Sequence, residues 1–588
     1  MNLLKDIKNL VVQSAGDLQK SGEIAADVNL SDIIVEIPPV SDFGHLATNA
    51  AMVIAKQLKT NPRSIADLIA RALKASDKIA DVSIAGPGFI NITLKDSVWD
   101  NSAAEVLKSG NKYGNSDFGK GEKVNVEFLS ANPTGPIHVG HTRGAIFGNA
   151  LSELLKKVGY SVTKEYYIND YGVQIETLAN SVYWRYEELF GLHKDESITE
   201  GFYPGDYIIP VAQEIKDEYG NKFIGQPREI WADHFNKTAV SRMMDSIRSD
   251  LAKLDVYFDV FTSERNLVES GKVDAAIAKM NTMGLLYKGT LAQPLGEGDS
   301  EPDPDWKPEI QTLFRSSKFG DTSDRVVLRA DDSKTYLASD IAYHFDKFQR
   351  GFNKMIDVWG ADHGGYVPRL KAAVTAITGG KGEVETELVQ MVNLLKDGKP
   401  FRMSKRAGNF VLVSDILEEI DANVLKVFML SRTPETQMSF DLARTSEQSK
   451  DNPIYYIQYA FGRMNSVLNN YKNTFGTEFT NNEIATDFYK NLTPAEQEII
   501  RDVAFFPQLI ESAALKKAPN LVVGYLEKLS QKFHSIWTMG AKSGDKFINA
   551  DEPLKTNNKM LMIKIIKTTI QSGLNALGIE AIQSLERK

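Results

Sequence analysis

Apolar residues recur at helical spacing in two early stretches, Leu46–Lys59 (LATNAAMVIAKQLK) and Ile65–Leu73, which predicts two helices. Asp81–Leu94 (DVSIAGPGFINITL) instead alternates on either side of a Gly-Pro-Gly and reads as two short strands. Ser109–Lys123 is rich in Gly, Asn and Ser and has the character of a linker. Beyond it, Val124–Leu129 is a buried-strand pattern, followed by the turn-rich ANPTGPIHVGH. Phe147, Ala150, Leu151, Leu154, Leu155 and Val158 then form a helical stripe, with Gly159 as its stop and Ser161–Ile168 as a second strand. Strand, loop, helix and strand in that order are the building block of a parallel α/β sheet. Residues 170–290 are mostly helical in pattern, and Gly296–Pro308 is an acidic, proline-rich surface loop. Strand signals return at Arg325–Arg329 and Met355–Trp359, and from Asp415 onward the pattern is almost entirely helical.

Composition narrows the classes. A chain of 588 residues exceeds what one core holds, about 250–300, so three or four domains are expected. With 42% hydrophobic and 25% charged residues it is ordinary globular material, neither rod nor disordered chain. The absence of cysteine excludes disulfides, thiolate zinc, iron–sulfur clusters and a cysteine nucleophile. No apolar run of about 18 residues appears, and the first residues lack a signal-peptide core, so a cytoplasmic protein without membrane association is expected. The net charge of −9 argues against a uniformly basic nucleic-acid binder. The negative excess lies before residue 451, however, and the slightly basic remainder leaves room for a local basic surface.

The chemistry-bearing residues cluster at predicted strand ends. His138-Val139-Gly140-His141 sits between a strand and the helix it feeds, where a helix N-terminus attracts phosphate. Two imidazoles at i and i+3 add donors, Gly140 lets a flat ring approach, and Arg143 offers a bidentate phosphate contact. The chemistry this suits is attack on an α-phosphate with pyrophosphate leaving. A second loop, Phe401–Asn409 (FRMSKRAGN), places Arg402, Lys405 and Arg406 within five residues beside Ala407-Gly408, so that a lysine on a movable loop reaches triphosphate oxygens. On residues alone, two surface histidines on a turn and a solvated basic turn are the favoured readings of these segments. Glu127 is a charge in an apolar strand and therefore needs a partner, and Asn132 lies in the loop beyond it. Tyr336 and Asp340 share one face if helical, and Asp362 and His363 (GADH) follow a third strand.

The stretch VEFLSANPTGPIHVGHTRGAIFGNAL resembles the HIGH region of class I aminoacyl-tRNA synthetases and, more narrowly, that of the arginyl-tRNA synthetases. RMSKR resembles their KMSKS loop, with Arg402 where the first lysine stands. The resemblance implies a Rossmann-type parallel-sheet catalytic domain, an N-terminal α+β additional domain and a C-terminal all-α domain. It also implies that arginine, ATP with accompanying Mg2+, and the tRNA for arginine are the partners, with no protein-held metal. By the same resemblance His138, His141 and Lys405 are catalytic, and His138, Gly140, His141, Asp362, His363, Met403, Ser404 and Lys405 bind ATP. Glu127 and Asn132 take the substrate's backbone groups. Tyr336, Asp340 and His363 line the side-chain pocket, the first two at the guanidinium.

Asp451–Leu468 (DNPIYYIQYAFGRMNSVL) resembles the start of the family's anticodon-binding domain, which makes Tyr459 and Arg463 RNA contacts. DFGHLATNAAMVIAK and AGPGFINITL resemble its additional domain, which approaches the tRNA corner at the D-loop, and suggest Phe89 and Asn91 there. The division expected is 1–110, 111–450 with an insertion at about 170–290, and 451–588, in a monomer as in most relatives. Two rivals are another enzyme on the same nucleotide-binding layout and a catalytically dead RNA-binding paralogue. Length and the helical tail disfavour a small nucleotidyltransferase, and His138, His141 and Lys405 disfavour the paralogue.

Overall fold

The computed structural model describes residues 2–40, 43–194, 196–291, 309–400, 411–445 and 453–581. The chain divides into two compact units, one of Met1–Gly119, Lys157–Gly159 and Gln448–Lys588, the other of Lys120–Lys156 and Tyr160–Glu447.

The second unit is built on five parallel strands among its described residues: β1 (Lys123–Phe128), β2 (Ser161–Ile168), β3 (Val260–Ser263), β4 (Lys354–Gly360) and β5 (Glu383–Val389). Their order across the sheet is β5-β4-β1-β2-β3. Chain direction around the sheet reverses between β1 and β4, and open α/β sheets take their ligands at the carboxyl ends of strands at such a point. Helix α1 (Val139–Lys157) covers one face. It lies close on β1 because Gly148 has no side chain, and a Cβ there would fall inside the Phe128 ring. Helices α2 (Tyr336–Gln349) and α3 (Val367–Ile377) bury Ala338, Ile341, Ala342, Ala372, Ala373 and Ile377 in a common core.

Strand register lines up the charges of this sheet. Glu127 on β1 pairs with Asp357 on β4 and with Glu165 on β2, so three carboxylates stand side by side on neighbouring strands. Strand β3 escapes the sequence pattern because its four residues are only half-buried and make no apolar run. Met438–Asp441 is likewise a strand in a region expected to be helical. Its buried–exposed alternation has period two, and it pairs in parallel with Val392–Leu395.

The first unit joins both ends of the chain. A four-stranded antiparallel-paired sheet (Val35–Glu36, Leu46–Thr48, Ile79–Ala85, Phe89–Leu94) carries helices Ala50–Leu58 and Pro62–Lys74. Leu46–Thr48 is strand rather than helix. The Thr48 hydroxyl donates to Ile34 O at 2.6 Å and accepts from Ala50 N, which starts the helix two residues later. Helices Pro453–Phe475, Pro494–Ala504, Phe506–Leu515, Asn520–Ser543 and Pro553–Ala576 form the C-terminal layer. The two parts share a core. Trp99, fully buried, lies 5.8 Å from the Tyr489 ring and 6.0 Å from Phe505, and Tyr113 stacks on Phe506 at 5.7 Å. No helix among the described residues is long and apolar enough to cross a membrane.

Candidate active site

The chain leaves β1 through a strained turn. Leu129 and Ser130 have φ of 69° and 40°, a left-handed conformation that costs non-glycine residues about 1–3 kcal/mol each. Ser130 holds it in place: its hydroxyl donates to Glu127 Oε1 at 3.1 Å and accepts from Tyr167 N at 3.1 Å. The following loop is pegged from several sides. Tyr166 Oη donates to Ala131 O at 2.7 Å, and Tyr207 Oη to Thr134 O at 2.8 Å. Asn132 accepts from Asn169 and donates to Gln174, both at 2.8 Å, and remains exposed.

His138 and His141 lie with ring centres 3.9 Å apart. The backbone selects their tautomer: Gly140 N–H donates to His138 Nδ1 at 3.1 Å, and His138 N–H to His141 Nδ1 at 3.3 Å. Each Nδ1 is thus an acceptor, and each ring proton sits on Nε2. Burial lowers His138, and burial with His138 beside it pushes His141 down to about 4, so both are neutral donors at pH 7. Gly140 suits this packing, since a Cβ there would stand 2.9 Å from the His138 ring and displace it.

Two expectations fail here. The first three N–H groups of α1 do not face phosphate: Val139 N donates to Val411 O, Gly140 N to His138 Nδ1 and His141 N to His138 O. Arg143 is not a phosphate ligand either. It is buried at 1% exposure and donates to the carbonyls of Gln390, Thr436 and Thr433 at 3.2, 2.7 and 2.8 Å. Met403, Ser404 and Lys405 lie outside the described residues. Their downstream flank is tied to the histidine turn, since Val139 N donates to Val411 O at 2.9 Å and Val413 N to Ile137 O at 3.1 Å.

Beneath the site runs a buried charge ladder. Lys347 Nζ donates to Glu127 Oε2 at 2.7 Å and Asp357 Oδ1 at 3.1 Å, and Arg350 donates to both Glu165 oxygens at 2.8 and 2.9 Å. His344 places Nε2 2.9 Å from Asp357 Oδ2 and Nδ1 2.8 Å from Asp340 O. Both neighbours are acceptors, so the ring carries two protons. Burial opposes that charge, but Asp357 overrides it and raises His344, while Asp357 itself is held at about 2, its burial outweighed by Lys347 and His344. Three carboxylates meet three cationic groups, and burial raises Glu127 against the pull of the Lys347 ammonium. Glu127, His344 and Asp357 offer ligand atoms within 4.8 Å of one another, a grouping that suits a metal ion, but the Lys347 ammonium already bonds two of them.

Above the ladder the charge is one-sided. Asp340, raised by burial, accepts from the Tyr366 hydroxyl. Glu264, at the start of the helix after β3, is pushed up to about 7 by burial, with Asp340 and Asp170 adding to it against the Ser339 hydroxyl. The Tyr167 hydroxyl is buried without a hydrogen-bond partner among the described residues, within the fields of Glu264, Asp340, Glu127 and Asp170. Tyr336, on the first turn of α2, is 74% exposed, so the tyrosine against Asp340 is Tyr366. Asp362 and His363 stand exposed at the end of β4, with Asp362 Oδ2 3.6 Å from His363 Nε2. Glu264, Tyr167 and Tyr366 escaped the sequence reading, and the only signal available was a glutamate directly after the short segment FTS.

In the first unit, Phe89 is 38% exposed, whereas Asn91 is buried at 6% in mid-strand, with its backbone in register with Ala47 and Ser83. Arg463 Nη2 donates to Tyr459 Oη at 2.7 Å. Its guanidinium lies 4.1 Å from the Tyr459 ring centre and 5.1 Å from Trp537, with His534 Nδ1 at 3.2 Å.

Three family models match successive stretches of the chain. Residues 5–94 match the family "Arginyl tRNA synthetase N terminal domain", 102–295 the family "tRNA synthetases class I (R), catalytic domain", and 457–585 the family "DALR anticodon binding domain". The arginine–tRNA ligase of Paracoccus denitrificans is 44% identical over 581 residues, 98% of this chain and 99% of that protein. The arginine–tRNA ligase of Cereibacter sphaeroides strain ATCC 17025 is 43% identical over the full length of both. The solved arginyl-tRNA synthetase of Thermus thermophilus superposes with a TM-score of 0.71 over 99% of this chain and all of that one; at 19% identity this speaks to the fold. A parallel sheet with neutral histidines at its switch point, a cluster of acidic groups at the same edge and relatives matched end to end agree: the chain belongs to the arginyl-tRNA synthetases, class I arginine–tRNA ligases.

Proposed function

We propose that the ligation runs through the residues at the carboxyl edge of β1, β2, β3 and β4. In the first step a carboxylate oxygen of arginine attacks the α-phosphorus of ATP, the bond to the bridging oxygen breaks, and pyrophosphate leaves with arginyl-adenylate behind. His138 and His141 donate Nε2–H to the phosphate oxygens as charge builds there, and Gly140 admits the nucleotide beside them. Met403, Ser404 and Lys405 follow the departing pyrophosphate. Asp362 and His363 border the nucleotide and arginine. In the second step the 2′-hydroxyl of the terminal tRNA adenosine attacks the arginyl carbonyl, its proton is lost, and AMP leaves. Positioning and fixed donors supply the rate, with no covalent bond to the protein. Mg2+ accompanies ATP and offsets triphosphate charge.

The amino acid is recognised at both ends. Glu127 and Asn132 take its backbone groups. Asp340 and Glu264, with the Tyr167 hydroxyl, take the guanidinium, and Tyr336 closes over it from the exposed turn. The observation that carries this reading is the pair of half-buried Asp340 and buried Glu264, carboxylates whose ionisation desolvation disfavours. A planar cation with forked donors relieves both at once. Phe89, Tyr459 and Arg463 face tRNA, within a division of 1–110, 111–450 and 451–588, in a cytoplasmic monomer. The test is ATP–pyrophosphate exchange with each amino acid in turn, with and without tRNA. Exchange with arginine alone is the expected result, and exchange with lysine would overturn the pocket assignment.

A further inference from the structure

We propose that Lys347 is a positioning residue for the length of the amino acid: its ammonium, seated between Glu127 and Asp357, sets the separation between the groups that take the two ends of the substrate. This rests on the reading of Glu127 and Asp340 above. The observation is a continuous chain of contacts between those two residues. Ser130 Oγ donates to Glu127 Oε1 at 3.1 Å, and Lys347 Nζ donates to Glu127 Oε2 at 2.7 Å and to Asp357 Oδ1 at 3.1 Å. His344 Nε2 then donates to Asp357 Oδ2 at 2.9 Å, and His344 Nδ1 to Asp340 O at 2.8 Å.

Nothing in the chain is soft. Lys347 and Asp357 are fully buried, His344 is 2% exposed and Glu127 6%. Asp340, His344 and Lys347 follow one another at helical spacing on one face of α2, while Glu127 and Asp357 are paired across β1 and β4. A helix face is thereby pinned to two strands through one ammonium, with the Tyr343 ring 4.3 Å from it. Side-chain discrimination between substrates one methylene apart is usually only about 10–200-fold, because pockets give. A frame held by buried ionic hydrogen bonds cannot lengthen without breaking one and leaving a buried charge unpaired.

The experiment uses the full chain and pyrophosphate exchange with arginine and with homoarginine, one methylene longer. Lys347→Met is expected to raise the arginine KM about tenfold or more, a loss of about 1.4 kcal/mol in binding. It should leave the ATP KM within about twofold and narrow the arginine-to-homoarginine ratio of kcat/KM several-fold. His344→Gln keeps an amide donor toward Asp357 but loses the Nδ1 donation to Asp340 O, which opens the chain of contacts, and this second variant is expected to narrow the same ratio. An unchanged ratio in a folded Lys347→Met overturns the proposal, as does an equal rise in both KM values. If Lys347→Met does not fold, an unchanged ratio in His344→Gln overturns it alone. Glu127→Gln separates the two levels. An unchanged arginine KM there removes the underlying reading, whereas a raised KM with unmoved ratios in the other two variants removes only the role of Lys347.

Discussion

His141 shows how a backbone decides chemistry. Because His138 N–H occupies its Nδ1, it can offer only Nε2–H, and burial keeps the ring uncharged well below neutral pH. His141→Ala should therefore lower kcat about 10²–10³-fold with the arginine KM little changed, read by pyrophosphate exchange. Loss of ATP affinity alone would contradict a role in the transition state. Glu264 predicts a pH dependence of the opposite kind. Its folded pKa, about 7, lies above the ordinary 4.5, so the folded protein holds a proton that the unfolded chain has released. Stability contributed by Glu264 is present below about pH 4.5 and is lost as pH rises through about 7. Guanidinium binding favours the ionised form, so the arginine KM should fall between pH 6 and 8, and Glu264→Gln should flatten that profile; an unchanged slope counts against the contact. At this scale the sequence was informative where chemistry is local. His138, Gly140 and His141 are close in the chain and meet as read. Glu264 and Asp340 lie 76 positions apart, and only the packing of α2 against the end of β3 brings them together. Arg143 departs from the phosphate role expected of it because an arginine beside a phosphate motif looks the same in sequence whether its fork points at a ligand or at backbone carbonyls.

Among the elements, α1 is held at its start by more than its own hydrogen bonds. Arg143 ties it to carbonyls at Gln390, Thr433 and Thr436, and Ile137 and Val139 pair with Val413 and Val411. Arg143→Met would leave the carbonyls of Gln390 and Thr436 without a donor, while Thr433 O keeps the Thr436 N–H, and is expected to cost about 3 kcal/mol, seen as a shifted denaturation midpoint. A midpoint unchanged within error would mean water replaces the guanidinium. Strand–loop–helix–strand is readable around residue 140 because β1 and β2 are short segments of β-branched and aromatic residues on either side of a long helical stripe. Val260–Ser263 and Met438–Asp441 were not readable, since strands of four residues leave too little period to distinguish from their helical surroundings.

For the whole molecule, the union of the two chain ends matters most. The N-terminal sheet and the C-terminal helices read as separate patterns, each with its own apolar stripe, and nothing in a linear pattern says that the two stripes face each other. Trp99 and Tyr113 nevertheless depend on Tyr489, Phe505 and Phe506 for their surroundings, and Asn2 Nδ2 donates to Gln508 at 3.0 Å and Glu511 at 2.9 Å. Deleting residues 451–588 should therefore do more than weaken tRNA binding. The N-terminal part should become protease-sensitive as well, while arginine-dependent exchange chemistry stays with residues 120–447. A truncated chain whose first 119 residues resist proteolysis would show that these rings hold nothing together.

The row Asp357–Glu127–Glu165 has a consequence for assembly. Side chains alternate faces along a strand, so a slip of one position in β1 would turn Glu127 toward α1 and drive Phe128 against Lys347. A parallel sheet of apolar strands tolerates such slips poorly in energy but offers few marks to tell one alignment from the next. Here the marks are ionic, three on the strands and three on α2 and its end, and they mesh in a single alignment. The ladder is in that sense a combination lock for the nascent sheet: misaligned chains stay unlatched, and the catalytic edge forms only when every tumbler has dropped.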